Sequence, residues 1–345
     1  MVTQAMNRQW LLIERPRGMV GIEHFGYREA PVPVPGDGDI LVRTLYVSFD
    51  PAMRAFLNDR PSYVAPQTIG EVMRAGGVAQ VLESRAPHLV AGDLVLGAFG
   101  WQDYAAVNAA HGVMKISPAR QPTDYLSVLG MTGLTAYFGL LDVGQAKAGN
   151  TVVISGAAGA TGSTAVQIAR VTGCRTIAIA GGARKCRWTC DALGADAAID
   201  YKSESVTTRL AELCPDGIDV YFDNVGGSIL QAAIGRMKLH GRIPLCGMIS
   251  TYNDADPTPG PSNLFELITR RVRMEGFLIS DFTARFAEAR RALEAWLDEG
   301  QLRSYVDVQE GFENIPETFL RIFSGANLGK QTLKIADPPL PIPPR

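Results

Sequence analysis

No cysteine occurs before Tyr125, and the five in the chain, Cys174, Cys186, Cys190, Cys214 and Cys246, are an odd number without the paired spacing of a zinc site. Such a set argues against a disulfide framework and for reduced thiols in a cytosolic protein. Cys186 and Cys190 are four apart and share a helical face, yet no histidine or second cysteine pair lies near enough in sequence to complete a metal shell. Histidine is scarce as well: there are four, and His88 and His111 stand outside any ligand motif. No stretch reaches the roughly 18 unbroken apolar residues a membrane span needs, and the start MVTQAMNRQWLLIERP lacks the apolar core of a signal peptide. Charge of one sign is also wanting. A formal net charge of -2 gives no field to gather nucleic acid or an anionic membrane. These absences leave a cytoplasmic protein acting on a small neutral or weakly charged molecule.

What is present is an ordinary globular composition, 46% hydrophobic and 20% charged, over 345 residues, a length that favours two domains. From Gln9 to about Tyr125 short apolar runs (WLLIE, DILVRTLYVSF, VAQVLES, DLVLGAFG) are punctuated by Pro and Gly, the pattern of a compact, mostly β module. The run PVPVPGDGD, from Pro31 to Asp39, predicts a loop, because each Pro removes a ladder donor. After Tyr125 strand-length segments (TVVIS, RTIAIA, AAIDY, DVYFDNV, RIPLCG) alternate with helix-length ones, which predicts a doubly wound parallel sheet built from βαβ crossovers. FLISDF, past Gly276, reads as a further strand, and Ala284 to Gly300 as an amphipathic helix with Phe286, Ala289, Leu293 and Trp296 on its packed face. Residues 305–345 return to short strands and one helix, as if folding back onto the first module, and end in DPPLPIPPR, too Pro-rich for a packed element and read as a loose tail. The expected fold is therefore α/β, with a mostly β domain from 1–128 plus 305–345 and a nucleotide-binding domain from 129–304.

The strongest local signal is TVVISGAAGATGSTAVQIAR: a buried strand, a turn of small residues, and a helix opening at about Ala160. Gly156, Gly159 and Gly162 permit the tight turn, the close approach of backbone to a pyrophosphate, and tight packing of helix on sheet. The pattern is a variant, with Ala157 where the usual fingerprint has its first Gly. An acid that would hold the adenosine ribose hydroxyls of NAD is expected at the end of RTIAIA, and it is missing. Gly181, Gly182 and Ala183 stand there, followed by Arg184 and Lys185, which suit the 2'-phosphate of NADP or, read plainly, open a solvated helix.

Seven segments together resemble the zinc-free branch of the medium-chain dehydrogenase/reductase superfamily, that of leukotriene B4 12-hydroxydehydrogenase, prostaglandin reductase and curcumin reductase-like alkenal reductases. They are SFDPAMR (48–54), MTGLTAYFGL (131–140), SGAAGATGS (155–163), YFDNVGG (221–227), CGMISTYN (246–253), MEGF (274–277) and GANLGK (325–330). The resemblance implies a GroES-like catalytic domain and a Rossmann domain. It places Ala160, Thr161, Gly162 and Ser163 on the pyrophosphate, Lys185 and Tyr201 on the 2'-phosphate, and Asn224 on the adenosine side. It runs Cys246, Gly247, Met248, Ile249, Ser250 and Tyr252, with Phe277, Leu278 and Ile279, beside the nicotinamide half, with Asn327 reaching in from the returning segment. It also implies a homodimer through edge strands near Gly276 to Ser280. Zinc-dependent relatives carry ligands in the first module and four close Cys in a structural lobe, and neither set is present here.

The resemblance implies an unsaturated carbonyl substrate, which a site without metal would activate by orientation against NADPH and by a hydrogen bond to the oxygen that becomes an enolate. Hydride goes to the β-carbon and a proton to the α-carbon. Tyr252 is the first candidate donor, with an alternative role of shaping the pocket or the cofactor; Tyr63, in NDRPSYVAP, is the second. Asp50 and Arg54 form a structural ion pair or the pocket floor rather than catalytic groups. The loop YNDADPTPGPSNLF reads as a lid, and Met248, Met53 and Phe56 as an adaptable apolar lining that could equally be core. Rival readings are a quinone oxidoreductase with the same cofactor site and an NADPH-binding protein without turnover.

Overall fold

The computed structural model describes residues 6–60, 62–256 and 258–343. The chain divides into two compact units: residues 1–126 with 306–327 and 331–345, and residues 127–305 with 328–330.

The first unit is mostly β. Strands β1 (Met6–Leu12) and β2 (Phe25–Pro31) form an antiparallel pair. Strands β3 (Asp39–Ser48), β4 (Gly76–Ser84), β5 (Leu94–Ala98), β6 (Tyr104–Asn108) and β7 (Met114–Lys115) join β14 (Val306–Glu310) and β15 (Lys330–Lys334) in a second sheet, order β14-β15-β3-β4-β5-β7, with β6 also on β3. The returning segment thus supplies an antiparallel neighbour to β3, Thr332 facing Ser48. In β3 Ile40 and Val42 are fully buried while Leu41 and Arg43 are not, and after a register shift between Thr44 and Tyr46 the buried positions move to Leu45 and Val47, as a bulge that re-aims the strand requires. Trp101 is fully buried at the centre of an aromatic cluster, its ring 5.0 Å from Phe25, 5.8 Å from Phe49 and 5.6 Å from Phe319 of α9 (Ile315–Ser324). The tail predicted to be loose is pinned: the buried Gln80 side chain exchanges two hydrogen bonds of 2.9 Å with the N–H and C=O of Leu340. Pro-rich sequence lacks internal bonds, but its carbonyls and remaining amides stay available to a neighbour.

The second unit carries β8 (Thr151–Ser155), β9 (Arg175–Ala180), β10 (Ala197–Asp200), β11 (Ile218–Phe222), β12 (Met237–Leu245) and β13 (Arg273–Gly276), all parallel, in the order β10-β9-β8-β11-β12-β13. Val152, Val153, Ile154, Ile177, Ala178 and Ile179 are all fully buried, so these two strands read as continuous apolar runs because both faces are covered. Each of these Val and Ile side chains contributes about 1.5–3 kcal/mol on burial. Helices α2 (Met131–Phe138), α3 (Ala160–Val171), α4 (Ala183–Asp191), α5 (Val206–Leu213), α6 (Gly227–Ile234), α7 (Phe265–Thr269) and α8 (Phe286–Asp298) complete the unit, and α1 (Ala52–Phe56) belongs to the first. In α8, Ala289 and Leu293 are fully buried, on the face the periodicity predicted.

FLISDF is not a strand. The edge strand is RMEG, ending at Gly276, and Ile279–Arg285 is a 3-10 helix whose start is fixed by the Leu278 N–H donating to Asp281 Oδ2 at 3.2 Å. An Asp placed to accept that amide favours a helical start over continued pairing, so the apolar run was misread for want of its cap. At this edge of the sheet the last strand is therefore Arg273–Gly276, and residues 277–280 lie beyond it. Among the described residues no helix is long and apolar enough to cross a membrane.

Candidate active site

Strand order reverses between β8 and β11, both parallel and adjacent, so their connections leave in opposite directions and open a crevice at their carboxyl ends. Ser155 ends β8 there and Asp223 follows β11. After Ser155 the chain turns through Gly156, which has φ 59°, into α3. A Cβ on Gly162 would lie 2.2 Å from the Gly156 carbonyl oxygen, so only glycine lets the helix approach the turn this closely. Gly159 precedes the helix in extended geometry and offers no side-chain cap. The first-turn amides of α3, those of Ala160, Thr161 and Gly162, have no intrahelical acceptors, the arrangement that binds a phosphate, although the Gly159–Gly329 bridge brings the returning chain against the Ala160 amide. Ser163 is different. Its hydroxyl donates to the Ala160 carbonyl at 3.1 Å and its amide to Gly159 at 2.9 Å, so neither group is turned toward a ligand.

The loop after β11 is organised by a carboxylate that the sequence reading passed over. Asp223 is fully buried, and its Oδ1 accepts from the Ser155 hydroxyl (2.9 Å), the Tyr221 phenol (2.9 Å) and the amides of Val225 and Gly226 (3.0 Å each). Its backbone carbonyl takes the amides of Cys246 and Gly247 at 2.8 and 3.1 Å, tying in the loop after β12. Asn224, expected on the adenosine side, also braces β8: its backbone amide donates to Ser155 Oγ at 2.9 Å and its Nδ2 to the Ser155 carbonyl at 2.7 Å. The available signal was an acid in an otherwise apolar strand, in DVYFDNV.

Tyr252 follows a short 3-10 turn, Ile249–Thr251, and its phenol oxygen accepts the Met248 N–H at 3.2 Å. That bond leaves the phenolic proton to be donated elsewhere. Gly247 gives the ring room, since a Cβ there would sit 3.2 Å from the phenol oxygen. Burial pushes the Tyr252 phenol up, assisted by Cys246 and Asp223 and opposed by the Met248 amide, so the group is a protonated donor at neutral pH. The Cys246 thiol is pushed up to about 12 by burial and by Asp223, and is inert as a nucleophile. Phe277 reaches the same unit's interior: a Cβ on Gly139 would lie 2.4 Å from Phe277 Cζ and 2.7 Å from Phe222 Cε2. Gly139 opens a π-helical turn, Gly139–Val143, that extends α2. Leu278 is 38% exposed beside it.

At the far end of the crevice Lys185 lies in the first turn of α4 and Tyr201 follows β10, its ring 2.9 Å from where a Gly181 Cβ would be. The two 2'-phosphate candidates therefore share one corner. In the returning segment, Gly329, near the end of the GANLGK motif, donates its amide to the Ala158 carbonyl of the glycine turn at 2.9 Å, and Asn327 is buried. The remaining candidates lie in the first unit. Tyr63 is 55% exposed and packs edge-on against Phe56 at 6.2 Å. Met53 is buried as core. Arg54, 1% exposed, ties the 16–18 turn to α1 through the carbonyls of Pro16 (3.3 Å) and Gly18 (2.8 Å) and also holds Asn58 Oδ1 (2.8 Å).

Residues 8–116 match the family described as the N-terminal domain of oxidoreductase, and residues 160–295 that described as zinc-binding dehydrogenase. The NADPH-dependent curcumin reductase of Escherichia coli is 41% identical over 336 residues, covering 96% of this chain and 97% of the enzyme. The chain belongs to the zinc-free medium-chain dehydrogenase/reductase family. The chain is also 40% identical over 304 residues to the NADP-dependent 2-alkenal reductase of Nicotiana tabacum, covering 87% of this chain and 88% of that enzyme. A crystal structure of CurA from Vibrio vulnificus in complex with NADPH superposes with a TM-score of 0.92 at 39% identity, over 96% of this chain and all of that one. The zinc in one family description has no counterpart in the donor set. Among the described residues no group of three or more His, Cys, Asp or Glu is placed to hold a metal ion, and the five cysteines are free and scattered. A dinucleotide, by contrast, fits the glycine turn, whose close approach a Cβ at Gly162 would abolish.

Proposed function

We propose that the chain is an NADPH-dependent reductase of the carbon-carbon double bond of small α,β-unsaturated aldehydes and ketones. The observation that carries the reading is Tyr252: a phenol kept protonated, with its oxygen already accepting Met248 N–H, beside the loop that Asp223 ties to the phosphate turn. NADPH, when bound, supplies the hydride that reaches the β-carbon. The first-turn amides of α3 take the pyrophosphate, Lys185 and Tyr201 the 2'-phosphate, and Cys246 to Tyr252, Phe277 to Ile279 and Asn327 line the nicotinamide side. Tyr252 hydrogen-bonds the carbonyl oxygen as it gains enolate charge and delivers its proton. Stabilisation of that charge by a fixed donor is the largest contribution a metal-free site of this kind makes. Tyr63 is the second candidate donor, and the loop 252–265, exposed from Asp254 to Gly260 among the described residues and anchored at its far end by Ser262 and Asn263 on Gln231, is the substrate lid. The protein acts in the cytoplasm with its thiols reduced, as a homodimer paired through the Arg273–Gly276 edge.

NADPH oxidation is followed at 2-alkenals, enones, a curcuminoid and a quinone, with NADH in parallel, for the wild type and Tyr252→Phe. The reading expects enone turnover with NADPH preferred, and a kcat about 10²-fold lower in Tyr252→Phe with NADPH affinity within about threefold. Turnover of the quinone alone, or NADPH binding with no turnover, overturns the enone assignment.

A further inference from the structure

The register of the parallel sheet sets Asp200, last residue of β10, directly beside Ala180, last residue of β9. The acid that β9 lacks is therefore present on the neighbouring strand. Its carboxylate is already engaged: Oδ1 accepts the Gly182 N–H at 2.7 Å and the Lys202 N–H at 3.0 Å. Gly182 precedes α4 with φ 92° and provides no cap of its own, so Asp200 caps this helix from outside. These backbone donors, Gly182 foremost, hold the carboxyl below its ordinary range, so it is ionised at neutral pH. The same corner holds the Tyr201 ring over Gly181, and Lys185, whose amide donates to the Gly182 carbonyl at 3.0 Å. Glu204 Oε2 accepts the Asp200 N–H at 2.8 Å, and its other oxygen is paired with Arg209 at 2.9 Å. A fixed negative charge therefore shares the helix terminus with the pair of residues assigned to a phosphate dianion.

We infer that Asp200 acts on cofactor binding in two opposed ways: its hydrogen bond fixes the Gly181–Gly182 turn that either cofactor uses, and its charge weakens the hold on the 2'-phosphate and so lowers the preference for NADPH over NADH. The inference rests on the cofactor reading above. A like charge near an exposed phosphate changes affinity several-fold, and that effect is confined to the ligand carrying the 2'-phosphate. Release of oxidised cofactor is the step such a moderated hold would favour.

Equilibrium binding, without turnover, separates the two effects. NADPH, NADH, 2',5'-ADP and 5'-AMP are titrated by calorimetry into the wild type, Asp200→Asn, Asp200→Ser and Asp200→Ala. Asn keeps an acceptor oxygen for Gly182 at the same reach and Ser one a bond shorter, and both lose the charge; Ala loses acceptor and charge together. Binding of NADPH and 2',5'-ADP is expected to tighten about three- to tenfold in Asp200→Asn, and in the same direction in Asp200→Ser, with NADH and 5'-AMP within about twofold. Asp200→Ala is expected to weaken all four. An unchanged or lowered NADPH-to-NADH affinity ratio in both neutral acceptor variants overturns the inference and leaves the cofactor reading standing. A wild type that holds 2',5'-ADP no better than 5'-AMP overturns the cofactor reading itself.

Discussion

Asp223 concentrates more of the site's order in one side chain than any glycine does. Removing it leaves the Ser155 hydroxyl, the Tyr221 phenol and two amides without their buried acceptor, and each such loss costs about 1–3 kcal/mol. Urea denaturation of Asp223→Ala is expected to show a loss of about 3–5 kcal/mol, in line with leaving several buried donors without an acceptor. A loss under 1 kcal/mol would mean the network is not what orders the loop. At Gly162 the argument is steric. The added methyl of Gly162→Ala meets the Gly156 carbonyl oxygen at 2.2 Å, which forces the turn and helix apart. NADPH is expected to bind at least about tenfold more weakly, while overpacking of this kind costs about 1–3 kcal/mol in stability. Calorimetric titration and a thermal melt on the same sample read both effects.

The elements show where sequence pattern suffices and where it does not. α3 opens at Ala160 as expected, because a glycine turn after an apolar strand leaves few other ways to begin a helix. FLISDF misled because a short apolar run is compatible with strand or helix, and the Asp281 cap that decides it lies inside the run. The tail misled for a different reason. Its partner, Gln80, is 260 residues away in sequence, so nothing local announces the contact. A chain truncated after Asp337 loses both Leu340 bonds and leaves the buried Gln80 Oε1 without its donor, while Nε2 keeps the Gly92 carbonyl at 3.0 Å. Its stability is expected to fall by about 1–3 kcal/mol in chemical denaturation. An unchanged midpoint would show that water replaces the tail at no cost.

For the molecule as a whole, several buried groups titrate later than they do in an unfolded chain. Burial raises the Cys246 thiol from 9.0 to about 12 and the Cys186 thiol from 9.0 to about 11, and lifts the Tyr221 phenol well above 10.0. In this window the unfolded chain has released protons that the folded chain retains, so rising pH favours unfolding. The stability these groups contribute is whole below about pH 9 and is lost progressively as pH climbs toward about 12. Thermal midpoints are expected to fall steeply above pH 9, and less steeply in Cys246→Ala. A midpoint flat from pH 8 to pH 11 would contradict the assignment.

The sequence by itself determined the α/β class, the parallel sheet, the phosphate turn and the lack of a zinc donor set. Each is written in local periodicity, in glycine spacing, or in which residue types are absent. It also pointed to Tyr252 and Lys185, through motifs that carry a family resemblance. Only the tertiary structure decided that Ser163 turns its hydroxyl back onto its own helix, that Asn224 braces β8, and that Asp223 organises the loops of β11 and β12. It alone set Asp200 beside Ala180 and the returning Gly329 against the phosphate turn. The physical reason is common to all five. Hydrogen-bond direction and strand register depend on which distant segments become neighbours, and a one-dimensional pattern carries burial but not the identity of the partner.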